Sequence, residues 1–359
     1  MIGIKSISMS EQVNNPSTPK VTVAQFGVGY WGPNLLRNLV VNPHFIVKHV
    51  VDQSYERRGF VRSLYPDLEV SDKIDVVLSN PEIDAVVIST PVRSHFELSM
   101  KVLESGKHIL VEKPMATTED EIKQIGIIAQ KKDLVAMVGH TFIYNPAVQA
   151  VKKIINSGKL GKIRYIYSQR VNLGRIRSDV DALWNLAPHD ISIVQYWLSG
   201  TTPIAIKRTG MAFVQPGIED VSFLNMEYPG NIMVNIHVSW LDPRKVRRMT
   251  VVGSEKMIVY DDLAKNKVTL YDKGIDRMAV LGENMDFDKK ESFDYNHRSG
   301  NIVVPKILWE EPLQVEIQHF ADCILNSIPC FTGIDHAKQV VSILEKAESN
   351  LSSAFSMNT

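Results

Sequence analysis

Val21-Thr22-Val23-Ala24-Gln25-Phe26-Gly27-Val28-Gly29-Tyr30-Trp31-Gly32 runs from six strand-like residues into three glycines spaced G-x-G-x-x-G, and Leu35, Leu36 and Leu39 follow at helical spacing. The spacing gains its meaning from lying between a strand and a helix, the context of a loop that wraps a dinucleotide pyrophosphate. Gly27 permits the tight turn, Gly29 lets a phosphate approach the backbone, and Gly32 lets the helix pack against the strand. Free amides and the helix dipole at the helix start favour the negative charge. Tyr30 and Trp31, inside the loop, fall among the expected cofactor contacts.

Outward from this loop, a second strand, Ile46 to Val51, ends in Asp52. An acidic residue there accepts hydrogen bonds from an adenosine ribose and repels a 2′-phosphate, so NAD is expected rather than NADP. The alternative for Asp52 is a helix N-cap or turn residue. Further strands, Ala85 to Ser89, His108 to Val111 and Leu134 to Val138, alternate with helical segments at Ser94 to Glu104 and Thr118 to Gln130. Thr118-x-x-Glu121 reads as a capping box. This alternation implies a doubly wound parallel sheet, an α/β fold. The run Lys107-His108-Ile109-Leu110-Val111-Glu112-Lys113-Pro114 stops abruptly in polar residues. Such sheets bind ligands at the carboxyl ends of their strands, which aims Glu112 and Lys113 at the bound molecule, with Pro114 restricting Lys113. The bland alternative is an ordinary exposed lysine. Thr90-Pro91 forms another edge of the crevice, and His95 either reaches the cofactor region or lies on a helix surface.

A chain of 359 residues exceeds one ordinary core and suggests two domains. Residues 1–19 read as a polar extension without the apolar segment of a secretory signal, 20–143 as the dinucleotide-binding domain, and 144–359 as a substrate-binding and oligomerisation domain. Forty basic and forty acidic residues balance, so no long-range field pulls the chain toward nucleic acid or an anionic membrane. No apolar run approaches the roughly 18–20 residues of a membrane helix, and a cytoplasmic location is expected. Cys323 and Cys330, with six residues between them, match no common metal or redox motif and read as buried or idle thiols. No metal is expected.

In the second half, a helix at Ala147 to Asn156 precedes strand-like stretches at Ile163 to Val171, Ile204 to Phe213, Val221 to Glu227, Ile232 to Trp240, Arg248 to Val252 and Val268 to Tyr271. Tyr228-Pro229-Gly230-Asn231 joins two of them as a hairpin, and a mostly antiparallel open sheet with helices on one face is expected. Gly274 to Asn301 has little periodicity and reads as a long excursion at the surface or a subunit contact. Val315 to Asn326 and Ala337 to Ser349 read as amphipathic covering helices.

The glycine loop, Thr90-Pro91 with His95, Glu112-Lys113-Pro114, and Trp184-Asn185-Leu186-Ala187-Pro188-His189-Asp190 together resemble the glucose-fructose oxidoreductase, inositol dehydrogenase and MocA family. The resemblance spans nearly the whole chain from Val21. It implies a Rossmann domain followed by an α/β domain whose large open sheet floors the substrate site and often buries a subunit interface, hence a homo-oligomer, a dimer or tetramer. His140 to Pro146 and Leu183 to Asp190 look most like the dehydrogenases of surface-polysaccharide pathways. Those enzymes oxidise the sugar 3-hydroxyl of a UDP-linked N-acetylhexosamine or its uronic acid.

Oxidising a secondary alcohol sends a hydride to NAD and a proton to a base. His189 is the candidate base, and Lys113 the cation beside the developing alkoxide. The reverse assignment makes Lys113 the base, its pKa lowered by burial. His189 is expected to open a helix, Asp190 to Leu198; on its own it reads more readily as a structural histidine, and Lys113 and the glycine loop beside it reverse that reading. Many relatives carry an aspartate four residues before this histidine, whereas this chain has Asn185, which suits hydrogen bonding to a sugar. The stretch from Arg170 through Asn172 to Arg175 and Arg177 offers guanidiniums for the diphosphate or a carboxylate of a nucleotide sugar, the alternative being a solvated loop. Arg244 to Arg248 reads as surface or subunit contact, and Tyr144 either lies over the sugar or packs between domains. Two other functions compete: a dehydrogenase of a free polyol such as inositol, and a catalytically silent nucleotide sensor regulating a partner. Retention of both Lys113 and His189 argues against the sensor.

Overall fold

The computed structural model describes residues 19–279 and 293–349; residues 1–18 of the expected polar extension lie outside them. Two sheets organise the chain. The first is six-stranded and parallel throughout: β1 (Val21–Phe26), β2 (Phe45–Val51), β3 (Glu69–Ser71), β4 (Ala85–Ile88), β5 (His108–Glu112) and β6 (Ala136–Gly139), in the order β3-β2-β1-β4-β5-β6. Central β4 is apolar and buried throughout, and its neighbour β1 is buried but for Thr22, with Gln25 its buried polar residue, because helices cover both faces. Those helices include α1 (Gly32–Val41), α2 (Tyr55–Leu64), α3 (Asp75–Leu78), α4 (His95–Glu104) and α5 (Glu119–Lys131). The strand order reverses between β1 and β4, which opens a crevice at their carboxyl ends. The expected capping box forms: the Thr118 hydroxyl accepts from Glu121 N–H and the Glu121 carboxylate from Thr118 N–H.

After α6 (Pro146–Asn156) the chain builds an eight-stranded sheet from β7 (Ile163–Leu173), β8 (Ala205–Met211), β9 (Val221–Tyr228), β10 (Ile232–Ser239), β11 (Leu241–Gly253), β12 (Met257–Asp261), β13 (Val268–Ala279) and β14 (Phe293–Val303). Only the β7–β10 pair is parallel. The β9–β10 hairpin turns through Gly230 and Asn231, both at positive φ, as the local sequence demands. One face packs against α6 and α7 (Ala182–Trp197). On the open face, Met233 lies opposite Tyr165 and Phe223 stacks on His237 at 4.3 Å, leaving exposed apolar surface.

Three expectations are corrected. The segment Gly274 to Asn301, read as an aperiodic excursion, supplies paired strands in its described part, where β13 and β14 extend the sheet. An edge hairpin with little buried surface has no reason to alternate apolar and polar residues. Helix α8 (Pro312–Asn326), assigned by chain position to the second domain, packs Leu313, Ile317 and Phe320 on Val21, Leu39 and Phe45 of the first sheet. Helix α9 (Ile334–Ser349) bridges both units, with Val341 in the first core and Val340 and Leu344 in the second. Finally, His189 lies well inside α7 rather than before its start, because Asp181 caps the helix by accepting from Trp184 N–H at 2.8 Å.

Candidate active site

The loop after β1 is shaped by contacts that leave room where a phosphate must come. Gly27 has φ +86°, and a Cβ there would sit 2.8 Å from the Ser89 carbonyl oxygen; one on Gly32 would meet the Gly27 carbonyl at 2.6 Å. Gly29 differs: a Cβ would find nothing within 4 Å. Its missing side chain is therefore space for something outside the chain. Buried Gln25 donates to the carbonyls of Gly27 and Gly32, both at 2.9 Å, and the Ser89 hydroxyl donates to Gly27 at 2.7 Å. Helix α1 opens without a side-chain cap; in its first turn Pro33 has no N–H and Asn34 N–H donates to the Trp31 carbonyl at 2.9 Å, which leaves the Gly32 end of the loop to meet a phosphate. Tyr30 and Trp31 are exposed on the loop. These features fit a dinucleotide pyrophosphate. Asp52 stands at the end of β2, its two oxygens accepting from Val28 N–H (2.7 Å) and Ser54 N–H (2.8 Å). It makes the turn bonds of the alternative reading while standing beside the glycine loop, where a ribose contact requires it.

At the far side of the crevice, Glu112 ends β5 and the Lys113–Pro114 peptide is cis. His95, neither on the helix surface nor open to the crevice, is buried at the start of α4. Its ring nitrogens lie 2.8 Å from the carbonyls of Thr90 and Pro114, tying the turn after β4 to the turn after β5. Burial holds its pKa below the usual histidine range. The Thr90 hydroxyl is 2.8 Å from that of Ser94. Burial pushes Glu112 up to about 7 against the opposing Lys113 charge and the Trp31 hydrogen bond, and Glu112 Oε1 has no partner among the described residues. Glu316, from α8, is also buried and pushed well above the carboxylate range, first by burial and then by the Glu112 charge.

Lys113 and His189 converge where the two units meet. The Lys113 amine donates to the Asn185 carbonyl at 2.7 Å, anchoring β5 to α7. Burial lowers its pKa to about 8, with Glu112 opposing and the Arg170 and Arg177 charges assisting. Pro188 removes one backbone donor from α7 immediately before His189. The His189 pKa is driven well below the usual range by burial, then by Lys113 and Arg170, and its buried Nδ1 has no partner among the described residues. Burial and the neighbouring cations therefore favour the neutral imidazole, the form that can accept a proton. Its ring packs edge-on against Phe142 at 5.0 Å. His140, at the end of β6, lies T-shaped to His336 at 5.2 Å and is likewise held neutral, chiefly by burial.

The remaining expected residues divide. Arg170 is buried and bidentate to Asp190 at 2.9 and 3.0 Å, with its guanidinium 4.4 Å from the Phe142 ring centre. It holds α7 on β7, and its donors are not free for a substrate phosphate as the sequence suggested. Tyr144 lies neither over a sugar nor between the units: it is buried in the first-sheet core beneath α8, its hydroxyl 2.9 Å from that of Thr332. The Asn185 amide oxygen receives the Trp240 indole N–H at 3.4 Å. Asn172, at the end of β7, lies against Gly174. Arg175 and Arg177 are exposed in the loop before α7, and Arg177 pairs with Asp179 at 2.9 Å. Sequence reasoning missed Gln25, His140, Glu316 and Arg247. Arg247 was read as surface, but β11 pairs it directly opposite Arg170, where it lies 3.4 Å from Asp262 and adds its charge near His189. The signal lay in strand register, which an isolated basic run does not reveal.

Comparison with known proteins agrees with this geometry. Residues 21–140 match the model of an oxidoreductase family with an NAD-binding Rossmann fold, and residues 148–259 match the GFO/IDH/MocA C-terminal domain. The chain belongs to the Gfo/Idh/MocA family. It is an NAD-binding oxidoreductase. It is 27% identical over 224 residues to UDP-N-acetylglucosamine 3-dehydrogenase of Acidithiobacillus ferrooxidans, covering 61% of this chain and 69% of that one. To the scyllo-inositol 2-dehydrogenase (NAD(+)) of Bacillus subtilis it is 26% identical over 271 residues, covering 72% and 73%. The fold superposes with a TM-score of 0.77 on GenD2 from gentamicin A biosynthesis in complex with NAD, at 19% identity and covering 94% and 96%. No helix among the described residues is long and apolar enough to cross a membrane.

Proposed function

We propose that the chain oxidises the 3-hydroxyl of a UDP-linked N-acetylhexosamine, UDP-N-acetylglucosamine or its uronic acid, to the 3-keto sugar. The observation that carries the reading is the convergence of a neutral imidazole, His189, with the Lys113 amine at the unit junction, on the same crevice as the glycine loop. His189 accepts the hydroxyl proton, and Lys113, held by the Asn185 carbonyl, stabilises the oxygen as charge develops on it. NAD, when bound, supplies the hydride acceptor. Gly27, Gly29 and Gly32 at the start of α1 would hold its phosphates, Asp52 its ribose, and Thr90, Pro91 and Glu112 would lie along the crevice beyond. Arg175, exposed before α7, suits the diphosphate or a carboxylate, Arg177 joins it once its exposed pair with Asp179 opens, and the likeness to the Acidithiobacillus enzyme supports a nucleotide sugar. The exposed apolar residues of the open sheet face support assembly of the chain as a dimer or tetramer.

Likeness to the Bacillus inositol enzyme favours a second reading, a free polyol. Incubation with NAD and a panel of UDP-sugars and inositols, following absorbance of the reduced cofactor, separates the two. Turnover of a UDP-N-acetylhexosamine is expected. Turnover of inositol alone transfers the activity to the polyol, and turnover of neither removes both.

A further inference from the structure

Cys323 and Cys330, idle by their spacing, meet at the end of α8. Cys323 lies on the last turn of that helix, and Ser327 then takes the left-handed conformation at φ 51°, reversing the chain so that Cys330 returns over the helix. The two sulfurs and His319 Nε2 all lie within 4.8 Å of one another, with Cys323 Sγ 3.4 Å from Nε2. His319 is fixed in place: Phe331 N–H donates to Nε2 at 3.0 Å, the Phe331 ring stacks on the imidazole at 4.5 Å, and Tyr144 flanks it at 5.4 Å. A bound cation would have to displace the Phe331 N–H from that lone pair. Even then, only three ligating side chains converge among the described residues, one short of a closed tetrahedral site. A dithiol requires neither change.

We propose that Cys323 and Cys330 form a dithiol oxidised by peroxide, with Cys323 the attacking sulfur and Cys330 the resolving one. Cys323 is 3% exposed, whereas Cys330 borders a cleft of about 960 Å³ lined also by Ile328, Phe331 and His336. The hydrogen bond with Cys330, opposed by burial and by the Asp322 charge, draws the Cys323 thiol below the usual thiol range, down to about 6, while the His319 Nε2 lone pair stays with Phe331 N–H. The same hydrogen bond and burial hold the Cys330 thiol up, so Cys323 carries the negative charge and Cys330 keeps its proton. The Cys323 thiolate attacks one peroxide oxygen; the O–O bond breaks, and the departing hydroxide takes a proton to leave as water. Cys330 then attacks the resulting sulfenic sulfur; the S–O bond breaks, the hydroxyl leaves with the Cys330 proton as a second water, and the S–S bond forms. One peroxide is reduced as two thiols are oxidised. The loop so closed is attached to the first sheet, since the Thr332 carbonyl accepts from Val138 N–H at 2.9 Å and the Thr332 hydroxyl meets that of Tyr144.

The test treats the reduced full-length protein with stoichiometric hydrogen peroxide at neutral pH, blocks remaining thiols, and maps the products by mass spectrometry. Expected are joint loss of both thiols and a Cys323–Cys330 crosslinked peptide, both reversed by dithiothreitol. The initial rate should rise with pH through about 6. In Cys330→Ser a dimedone adduct should accumulate on Cys323, while in Cys323→Ser the other thiol should survive. Persistence of both thiols in the unmodified protein overturns the proposal, as does oxidation of Cys330 in Cys323→Ser at the unmodified rate. Protection of both thiols by one equivalent of zinc ion, with the metal retained through gel filtration, overturns it in favour of a metal site.

Discussion

The glycine loop and the Lys113–His189 junction both stand at carboxyl ends of parallel strands, yet they are built in opposite ways. Around the loop, side chains are spent on the backbone: Gln25 on Gly27 and Gly32, Asp52 on Val28 and Ser54, Arg57 on the carbonyls of Val28 and Gly29. At the junction, Glu112 Oε1, His140 Nδ1, His189 Nδ1 and Glu316 Oε1 are buried without a partner among the described residues. Their pKa values are displaced as well. Binding a phosphate needs a surface of fixed shape, so the polar groups there hold the shape. Moving a proton needs titratable groups whose two forms lie close in free energy, and uncompensated burial brings Glu112 to about 7 and Lys113 to about 8, while it holds the imidazoles in the neutral, accepting form.

The comparison breaks first if the junction is dispensable. Lys113→Ala and His189→Asn should each lower kcat by about 10²- to 10⁴-fold while NAD affinity, measured by fluorescence titration, stays close to that of the unmodified protein. Variants that turn over substrate at the unmodified rate place the chemistry elsewhere. The direction of the pH profile then separates the two roles of Lys113. As the stabilising cation it must be protonated, so kcat/KM should fall as pH rises through about 8; as the base it must be neutral, and kcat/KM should rise through the same region. Burial and neighbouring cations depress His189, so the limb it contributes should lie below the ordinary histidine range, and activity should fall only as pH drops through that lower value.

The loop is sharpened by substitutions that separate its two kinds of glycine. Gly27→Ala forces a side chain into a positive-φ position 2.8 Å from a carbonyl oxygen, and thermal unfolding should show a loss of about 1–3 kcal/mol. Gly29→Val meets no protein atom near its first carbon, so stability should change little while NAD binding weakens sharply. Equal destabilisation by both, with cofactor affinity intact in the second, contradicts the assignment of that open space to a phosphate.

Legibility followed the same division. The first sheet was readable because buried parallel strands are unbroken apolar runs, and the glycine loop because three residues without side chains sit at a fixed place between strand and helix. Lys113 and His189 were found as residue types near a crevice. What surrounds them was not, since it depends on distant pairings: Arg247 reaches Phe142 and His189 only because β11 pairs with β7 in one register, and Glu316 only because α8 crosses back to the first sheet. Arg170 shows the reverse error, a guanidinium free in the sequence and committed to Asp190 in the fold. Strand β14 escaped because an edge strand with exposed faces carries no alternation to read; β12 does alternate, with Ile258 and Tyr260 buried, and was passed over for its shortness.

The smallest expected effect belongs to Asp52, and it asks whether the loop also contributes charge. Asp52→Ala removes the acceptors for Val28 N–H and Ser54 N–H together with the charge, so it disturbs the turn as well as any ribose contact. Asp52→Asn keeps an amide oxygen for one of those bonds and removes only the charge. If the carboxylate selects cofactor by accepting from the ribose and repelling a 2′-phosphate, both variants should lose about tenfold in NAD affinity, and the asparagine variant should bind NADP more tightly than the unmodified protein does. If Asp52 serves only the turn, the asparagine variant should keep its preference and the alanine variant should lose affinity for both cofactors alike. Calorimetric titration of both variants with both cofactors distinguishes these patterns. The second pattern would make the acidic residue part of the loop's scaffold, and the loop would then recognise its ligand by shape alone.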